Sequence, residues 1–489
     1  MTALIAGVDS STQSCTIELR SADDGRLLSV GRSPHPPTYP PVSEQDPAAW
    51  WTAFGGALAE ACQKAGVSPS QIKALSIGAQ CHGLVAIGAD GQPLRPAKLW
   101  NDTTGAPDVA RLIQERPQSS WVNEVLVPMN PALTIAKLAW VARNEHDVLE
   151  RISRIMLPHD WLTWRLTGEH VTDRSDASGT GYYNAPTNTY RVDLLEQHID
   201  SGIDWATLMP KVLGPSEVAG RILPAVADET GLPIDCVVGP GGGDQHLAAV
   251  GMGLAQGETA FSLGTSGVVF SSSPDPIIDL QARVDGVCDA TGGYLPLLCT
   301  LNCTKVTDLM ARLLGVDHQT LESMAFTAAP SDLAFLPYLD GERAPMRPGA
   351  TGMIMGMRSD TTREQLALSA YLGVVGGLVK AFELLGELMP YPVDRRLIAV
   401  GGGAKSLAYR QLLADQTRRP VTRVDAPEAT ARGAAIQAGA VLLGADIAEL
   451  RDAWRPATVD ECEPRPERID TPNYETLYEY ATERYSVQI

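Results

Sequence analysis

The chain opens with an apolar run, LIAGVDS, followed by a small polar cluster and then SCTIELRS, in which hydrophobic positions recur every second residue. A turn signal at Asp24-Gly25 leads into a further short run, RLLSVGR. Period-two spacing broken by Ser, Asp and Gly predicts antiparallel hairpin strands. After Asp46-Pro47 the spacing changes to three and four, and PAAWWTAFGGALAEACQKAG predicts a helix. Asp46 would cap it, Pro47 presets its first φ, and Gly66 ends it. IKALSIGAQ predicts a buried strand with CHG at its C-terminal end, where open α/β sheets form ligand crevices, so Cys81 and His82 become candidate contacts. From about 92 to 235, helical stretches such as PALTIAKLAWVARNE alternate with loops such as TDRSDASGTGYYN, a pattern that reads as an insertion or subdomain and assigns it no role. CVVGP resumes a strand and runs into GPGGGDQHLAAVGMG, and ETAFSLGTSGVVFSSS predicts a second hairpin. RLIAV, LAYRQLLADQT, VTRV and ATARGAAIQAGAVL then alternate strand and helix, as in a mixed α/β domain.

The two hairpins share one plan. VDSSTQSCTIEL and FSLGTSGVVFSS each read strand, hydroxyl-rich turn, strand, which points to two related domains with a cleft. A length of 489 residues supports the same division. The most apolar later stretch, LALSAYLGVVGGLVKAFELLGELM, carries Lys380, Glu383 and Glu387 at helical spacing and predicts a core helix rather than a membrane span. The start, MTALIAGVDSS, lacks the basic residues and apolar length of a secretory leader, so a cytoplasmic protein is expected, with no membrane partner. Eight cysteines with no CxxC pair argue against a disulfide framework and a thiolate zinc site. The net charge of -19 disfavours nucleic acid and anionic membranes, while a small anion held by backbone N–H groups and a cation remains compatible.

The chemistry-bearing stretches follow from these placements. Glycine lets backbone N–H groups approach a phosphate, and neighbouring hydroxyls add donors. Each hairpin turn alone reads as an ordinary tight turn, and the matched pair reads as two phosphate loops. GGGAKS follows a strand and opens a helix, an arrangement suited to an anion or a flat ring. No GxxxxGK[ST] occurs, and GMGLAQG misses dinucleotide spacing by one residue. Asp244, after the glycine run, is either a general base reaching a substrate hydroxyl or a cap of the following helix. Asp9, at a strand end beside a hydroxyl-rich turn, suits a hydrated magnesium ion or merely stabilises the turn. His82 suits a polar ligand or a structural contact, and Cys81 suits packing.

In their order, GVDSSTQS, SEQDPAAWW, GAQCHG, LWND, LPHDWLTWRLTGE, TDRSDASGTGYYN, GGGDQ, SLGTSG, FLPYLDGERAP and VGGGAKS resemble the FGGY carbohydrate kinases over nearly the whole chain. The resemblance implies two actin-like, ribonuclease H-like α/β domains, 1–253 binding sugar and 254–489 binding nucleotide, with both substrates in the interdomain cleft. It implies ATP as co-substrate with Mg2+, Asp244 as catalytic base and Asp9 as a catalytic residue that handles the metal. Cys81, His82, Trp100, Asp102 and Gln245 would line the sugar site. Thr12, Gly264, Thr265, Gly402 and Gly403 would meet the nucleotide. D-xylulose, phosphorylated at O5, is the expected substrate, and a homodimer is compatible with this reading. The chain departs from the common pattern where Cys81 replaces methionine, Ser11 replaces glycine, and Gln245-His246 replaces Asn-Ala or Asn-Asn. The alternatives are a kinase for ribulose, a deoxy-ketose or a polyol, a non-metabolic actin-like ATPase, and a sugar-binding regulator.

Overall fold

A computed structural model describes residues 3–390, 395–467, 470 and 473–485. The chain forms two compact units, residues 1–255 with 274–295 and 426–456, and residues 256–273 with 296–425 and 457–489.

The sheet of the first unit contains β1 (Leu4–Ser10), β2 (Ser14–Ser21), β3 (Leu27–Pro34), β4 (Ile72–Ala79), β5 (Gly220–Arg221) and β6 (Val237–Val238), in the order β5-β6-β4-β1-β2-β3. A further short strand, β7 (Gly242–Gly243), pairs with the end of β4. β1, β2 and β3 form the antiparallel meander that the period-two pattern predicts, and β4 and β6 add in parallel. The helix Pro47–Ala65 has the expected ends: Asp46 accepts from the Ala48 N–H, and Gly66 takes the left-handed conformation. Its Trp50, Phe54, Ala57 and Leu58 share a buried cluster with Ile17, Leu19, Leu75 and Ile77. A second cluster joins Ile5 and Ala74 to Leu247, Ala434, Ala435 and Ala438. Helices on both faces explain why LIAGV and IKALSIGA read as apolar runs rather than alternations.

The sheet of the second unit contains β8 (Thr259–Leu263), β9 (Gly267–Ser271), β10 (Leu297–Thr300), β11 (Leu397–Val400), β12 (Val421–Val424) and β13 (Thr458–Cys462), in the order β10-β9-β8-β11-β12-β13. Its pairings repeat those of the first sheet: an antiparallel meander, two strands added in parallel, and an antiparallel strand at the edge. In the first unit the edge strand precedes its neighbour in the chain, and in the second it follows it. The helix Arg363–Leu388 is long and apolar enough to cross a membrane, and 67% of its most apolar window is buried inside the protein.

The expected division between 253 and 254 lies two residues from the first crossing of the chain between units. Residues 274–295 and 426–456, expected in the second domain, pack with the first unit. The helix Ala429–Leu443 is apolar nearly all round and needs a close neighbour. It lies so near β1 that a Cβ on Gly7 would stand 1.8 Å from the Ala431 carbonyl oxygen.

Candidate functional site

The glycine run in GPGGGDQ is needed because the chain passes through occupied space. Gly241 has φ +80°, and a Cβ there would meet the His159 Nδ1 at 2.7 Å and the Ile77 carbonyl at 2.8 Å. A Cβ on Gly243 would lie 2.5 Å from the Cys81 Sγ. Bare backbone therefore brings β7 alongside the end of β4 and delivers Asp244 to Cys81.

Asp244 is the first residue of the helix Asp244–Gly251, whose cap is Gly243 and makes no side-chain capping bond. Its Oδ1 accepts from the Gln245 N–H at 2.7 Å and the Cys81 thiol at 3.2 Å. Burial raises its carboxyl above the ordinary value, the Cys81 and Gln245 donors oppose this, and Asp176 adds to it. A carboxyl group raised by burial at the start of a helix is a candidate proton acceptor. Gln245 makes no side-chain hydrogen bond among the described residues, so its amide is available to a ligand.

Asp9 stands opposite Thr16 on β2 and beside Gly78 on β4. Its Oδ1 is buried without a hydrogen-bond partner. Burial, then Asp244 and Glu428, raise its carboxyl well above the ordinary value against the pull of Arg32. Arg32 is itself paired with Glu428 at 2.5 Å. An orphaned, repelled carboxylate oxygen is what a divalent cation would satisfy, so the residues present fit magnesium.

His82 has φ +60°, and its ring Nδ1 lies 2.9 Å from the Asp176 Oδ1, an ion-pair distance too bent for a straight hydrogen bond. Behind Asp176, the fully buried His159 Nε2 lies 3.2 Å from Asp160, 3.3 Å from Asp173 and 3.7 Å from Asp176. Burial lowers the His159 pKa, but the three carboxylates outweigh it and push it up to about 9. Burial pushes Asp160 up to about 7 against the pull of His159.

Trp100 is 47% exposed, and its indole donates to the Thr12 hydroxyl at 3.0 Å. The same hydroxyl bonds to Gln80 at 3.2 Å, so it ties the first hairpin turn to Trp100 and the end of β4. Asp102 is 2% exposed and accepts four hydrogen bonds, from Lys98, the Ser43 N–H, the Thr104 N–H and the Thr104 hydroxyl. Those four fill a carboxylate's capacity and brace the loop around Asp102, where the sequence also led us to expect a sugar contact. Burial would raise its carboxyl, but the donors hold it below the ordinary value.

In the second unit, β8 runs parallel to β11, with Ser262 beside Val400, so the turn after β8 and the glycines after β11 leave the sheet at the same end. Thr304 and Cys303 donate backbone N–H groups to Gly264 and Thr265, bracing that turn against the start of the helix Thr304–Leu314. Thr265 and Gly402 are exposed, and Gly403 is buried. A Cβ on Gly402 would meet nothing within 4 Å, whereas one on Gly403 would strike Thr304 and Leu263.

The N-terminal domain model of the FGGY family of carbohydrate kinases matches residues 4–251, and its C-terminal domain model matches 259–442. A xylulose kinase of Streptomyces coelicolor is 39% identical over 457 residues, covering 93% of this chain and 91% of that protein. The chain belongs to the FGGY family of carbohydrate kinases. It is an enzyme that takes ATP as co-substrate, and its two repeated sheets are those of the actin-like fold. The crystal structure of a xylulose kinase from Bifidobacterium adolescentis superposes with a TM-score of 0.87 at 36% identity, over 98% of this chain and 99% of that one. A gluconate kinase from Lactobacillus acidophilus superposes with a TM-score of 0.88 at 25% identity, over 99% of this chain and 97% of that one.

Within the kinase, the first unit brings together Asp9, Cys81, His82, Asp244 and Gln245, and the second unit brings together Gly264, Thr265, Gly402 and Gly403. Sequence reasoning assigned no role to Asp173, Asp176 or His159. Their signal was present as ionisable residues inside LPHDWLTWRLTGE and TDRSDASGTGYYN, but nothing local says that those residues are buried.

Proposed function

We propose that the kinase transfers the γ-phosphoryl group of ATP to O5 of D-xylulose, giving D-xylulose 5-phosphate. The observation that carries this reading is Asp244, a half-buried carboxylate of raised pKa held by the Cys81 thiol at the mouth of β7 and β4. Similarity to xylulose kinases over 93% of the chain supports the choice of sugar.

Asp244 accepts the O5 proton as that oxygen attacks the γ-phosphorus in line and ADP departs. Cys81 and Gln245 hold the carboxylate through its Oδ1 and leave Oδ2 to the hydroxyl. His82, Trp100 and the Gln245 amide orient the sugar. The turn at Gly264 and Thr265 presents backbone N–H groups and a hydroxyl to the phosphates, and Gly402 and Gly403 give the adenosine a surface without side chains. Asp9 would hold magnesium, which would supply neutralising charge for the triphosphate. Both substrates are small and soluble, which suits a cytoplasmic enzyme.

The test is a coupled ADP-release assay with ATP, magnesium and a panel of ketoses, polyols and gluconate. D-xylulose should give the highest kcat/KM. A different best substrate would keep the family and reject the sugar, and no stimulation by any panel member would reject the substrate class.

A further inference from the structure

We propose that residues 176–179 form a positioning seat for the His82 imidazole, with Asp176 holding it and Gly179 making room for it. This rests on the reading of His82 as a sugar contact and names the residues that set its geometry.

His82 occupies the left-handed region, at φ +60°, without being a glycine, a conformation that persists only where neighbours over-determine it. Its backbone is tied at both polar groups. The N–H donates to the Asp176 Oδ1 at 3.1 Å, and the carbonyl accepts from the Thr134 hydroxyl at 3.1 Å. The ring packs against the same oxygen, its Nδ1 standing 2.9 Å away without a straight hydrogen bond. One carboxylate oxygen therefore bonds the backbone of His82 and abuts its ring.

Gly179 completes the seat. A Cβ there would lie 1.8 Å from the His82 Cε1 and 2.4 and 2.5 Å from its two ring nitrogens, so the imidazole fills the space that any side chain at 179 would need. Asp176 is in turn rigid: its backbone N–H donates to Asp173 at 3.0 Å, its side chain is fully buried, and its Oδ2 faces His159 at 3.7 Å. The order of dependence runs from Asp173 and His159 to Asp176, and from Asp176 to His82. Asp176 touches the histidine and acts through it, so it is a positioning residue.

The test measures KM and kcat for the best sugar of the panel, and KM for ATP, in the full-length wild type, Asp176→Asn, His82→Ala and the double variant. Asp176→Asn should raise the sugar KM about tenfold with the ATP KM within about twofold. Adding it to His82→Ala should change the sugar KM by less than about twofold, because a residue acting through His82 has nothing left to position. The same factor in both backgrounds, or a sugar KM that His82→Ala raises and Asp176→Asn leaves unchanged, would overturn the proposal.

Side-chain NMR of the histidine rings supplies a readout free of substrate. The His82 ring signals, assigned from His82→Ala, should move in both Asp176→Asn and Gly179→Ala, and unmoved signals would reject the seat. Gly179→Ala leaves the carboxylates in place and serves if Asp176→Asn does not fold. If His82→Ala itself leaves sugar kinetics untouched while the ring signals respond, the sugar-contact reading fails and the seat survives.

Discussion

At the matching place in the two hairpins, one residue before the last paired position, β1 carries Asp9 and β8 carries Ser262. The strand pairings around them agree, yet the surroundings differ in kind. Around Asp9 the first unit gathers Asp244 and Glu428, and deeper in the same unit it buries His159 among Asp160, Asp173 and Asp176. Around Ser262 the second unit offers Gly264, an exposed Thr265 and the glycines after β11. Sheet topology decides where loops emerge, and residue type decides what they handle. Carboxylates suit proton transfer and a cation, while a triphosphate is better met by bare N–H groups and hydroxyls than by further negative charge.

The comparison is broken most sharply at Asp244. Asp244→Asn keeps the shape and removes the base, and kcat should fall by roughly 10²–10⁴-fold with the circular dichroism spectrum unchanged. A variant that keeps wild-type turnover would deny the first unit its proton-accepting role. Asp9→Asn should have the next largest effect, a loss of about a hundredfold in kcat at saturating sugar, together with a higher magnesium requirement in a metal titration. In the second unit, Gly402→Val adds a side chain where no protein atom stands within 4 Å, so the melting temperature should hold. The KM for ATP should rise several-fold, about tenfold at most, while the sugar KM stays near wild type. The reverse pattern would exchange the duties of the two units.

The smallest effect is on stability. His159 has its pKa raised to about 9 from 6.5, so its contribution is fully present below pH 6.5 and is lost as pH rises through about 9. Asp160, raised from 3.8 to about 7, keeps its proton longer in the folded protein, so stability also declines from about pH 4 to 7 as the unfolded chain ionises first. Calorimetry from pH 6 to 9.5 should show a falling melting temperature, and His159→Gln should flatten that slope.

Much of the architecture was legible locally. Asp46-Pro47 and Gly66 mark the ends of one helix, VTRV and LAYRQLLADQT coincide with β12 and the helix Leu407–Thr417, and the repeated hairpins announce the repeated sheet. Asp244 stood out because glycines precede it, and the structure supplies their reason in the crowding by His159 and Cys81. The bracing of Asp102 was not legible locally, because four donors converge on it from three other residues, Lys98, Ser43 and Thr104, and one of those lies 59 positions away.

The sequence by itself determined the strands, the helix ends and the sites of bare backbone, because caps, turns and periodicity act over a few residues. Only the tertiary structure decided that the helix Ala429–Leu443 serves the first sheet and that Asp176 reaches His82 across 94 positions. It alone decided that His159 lies buried among three carboxylates. Burial and charge pairing are properties of what the folded chain places side by side, and no local pattern encodes them.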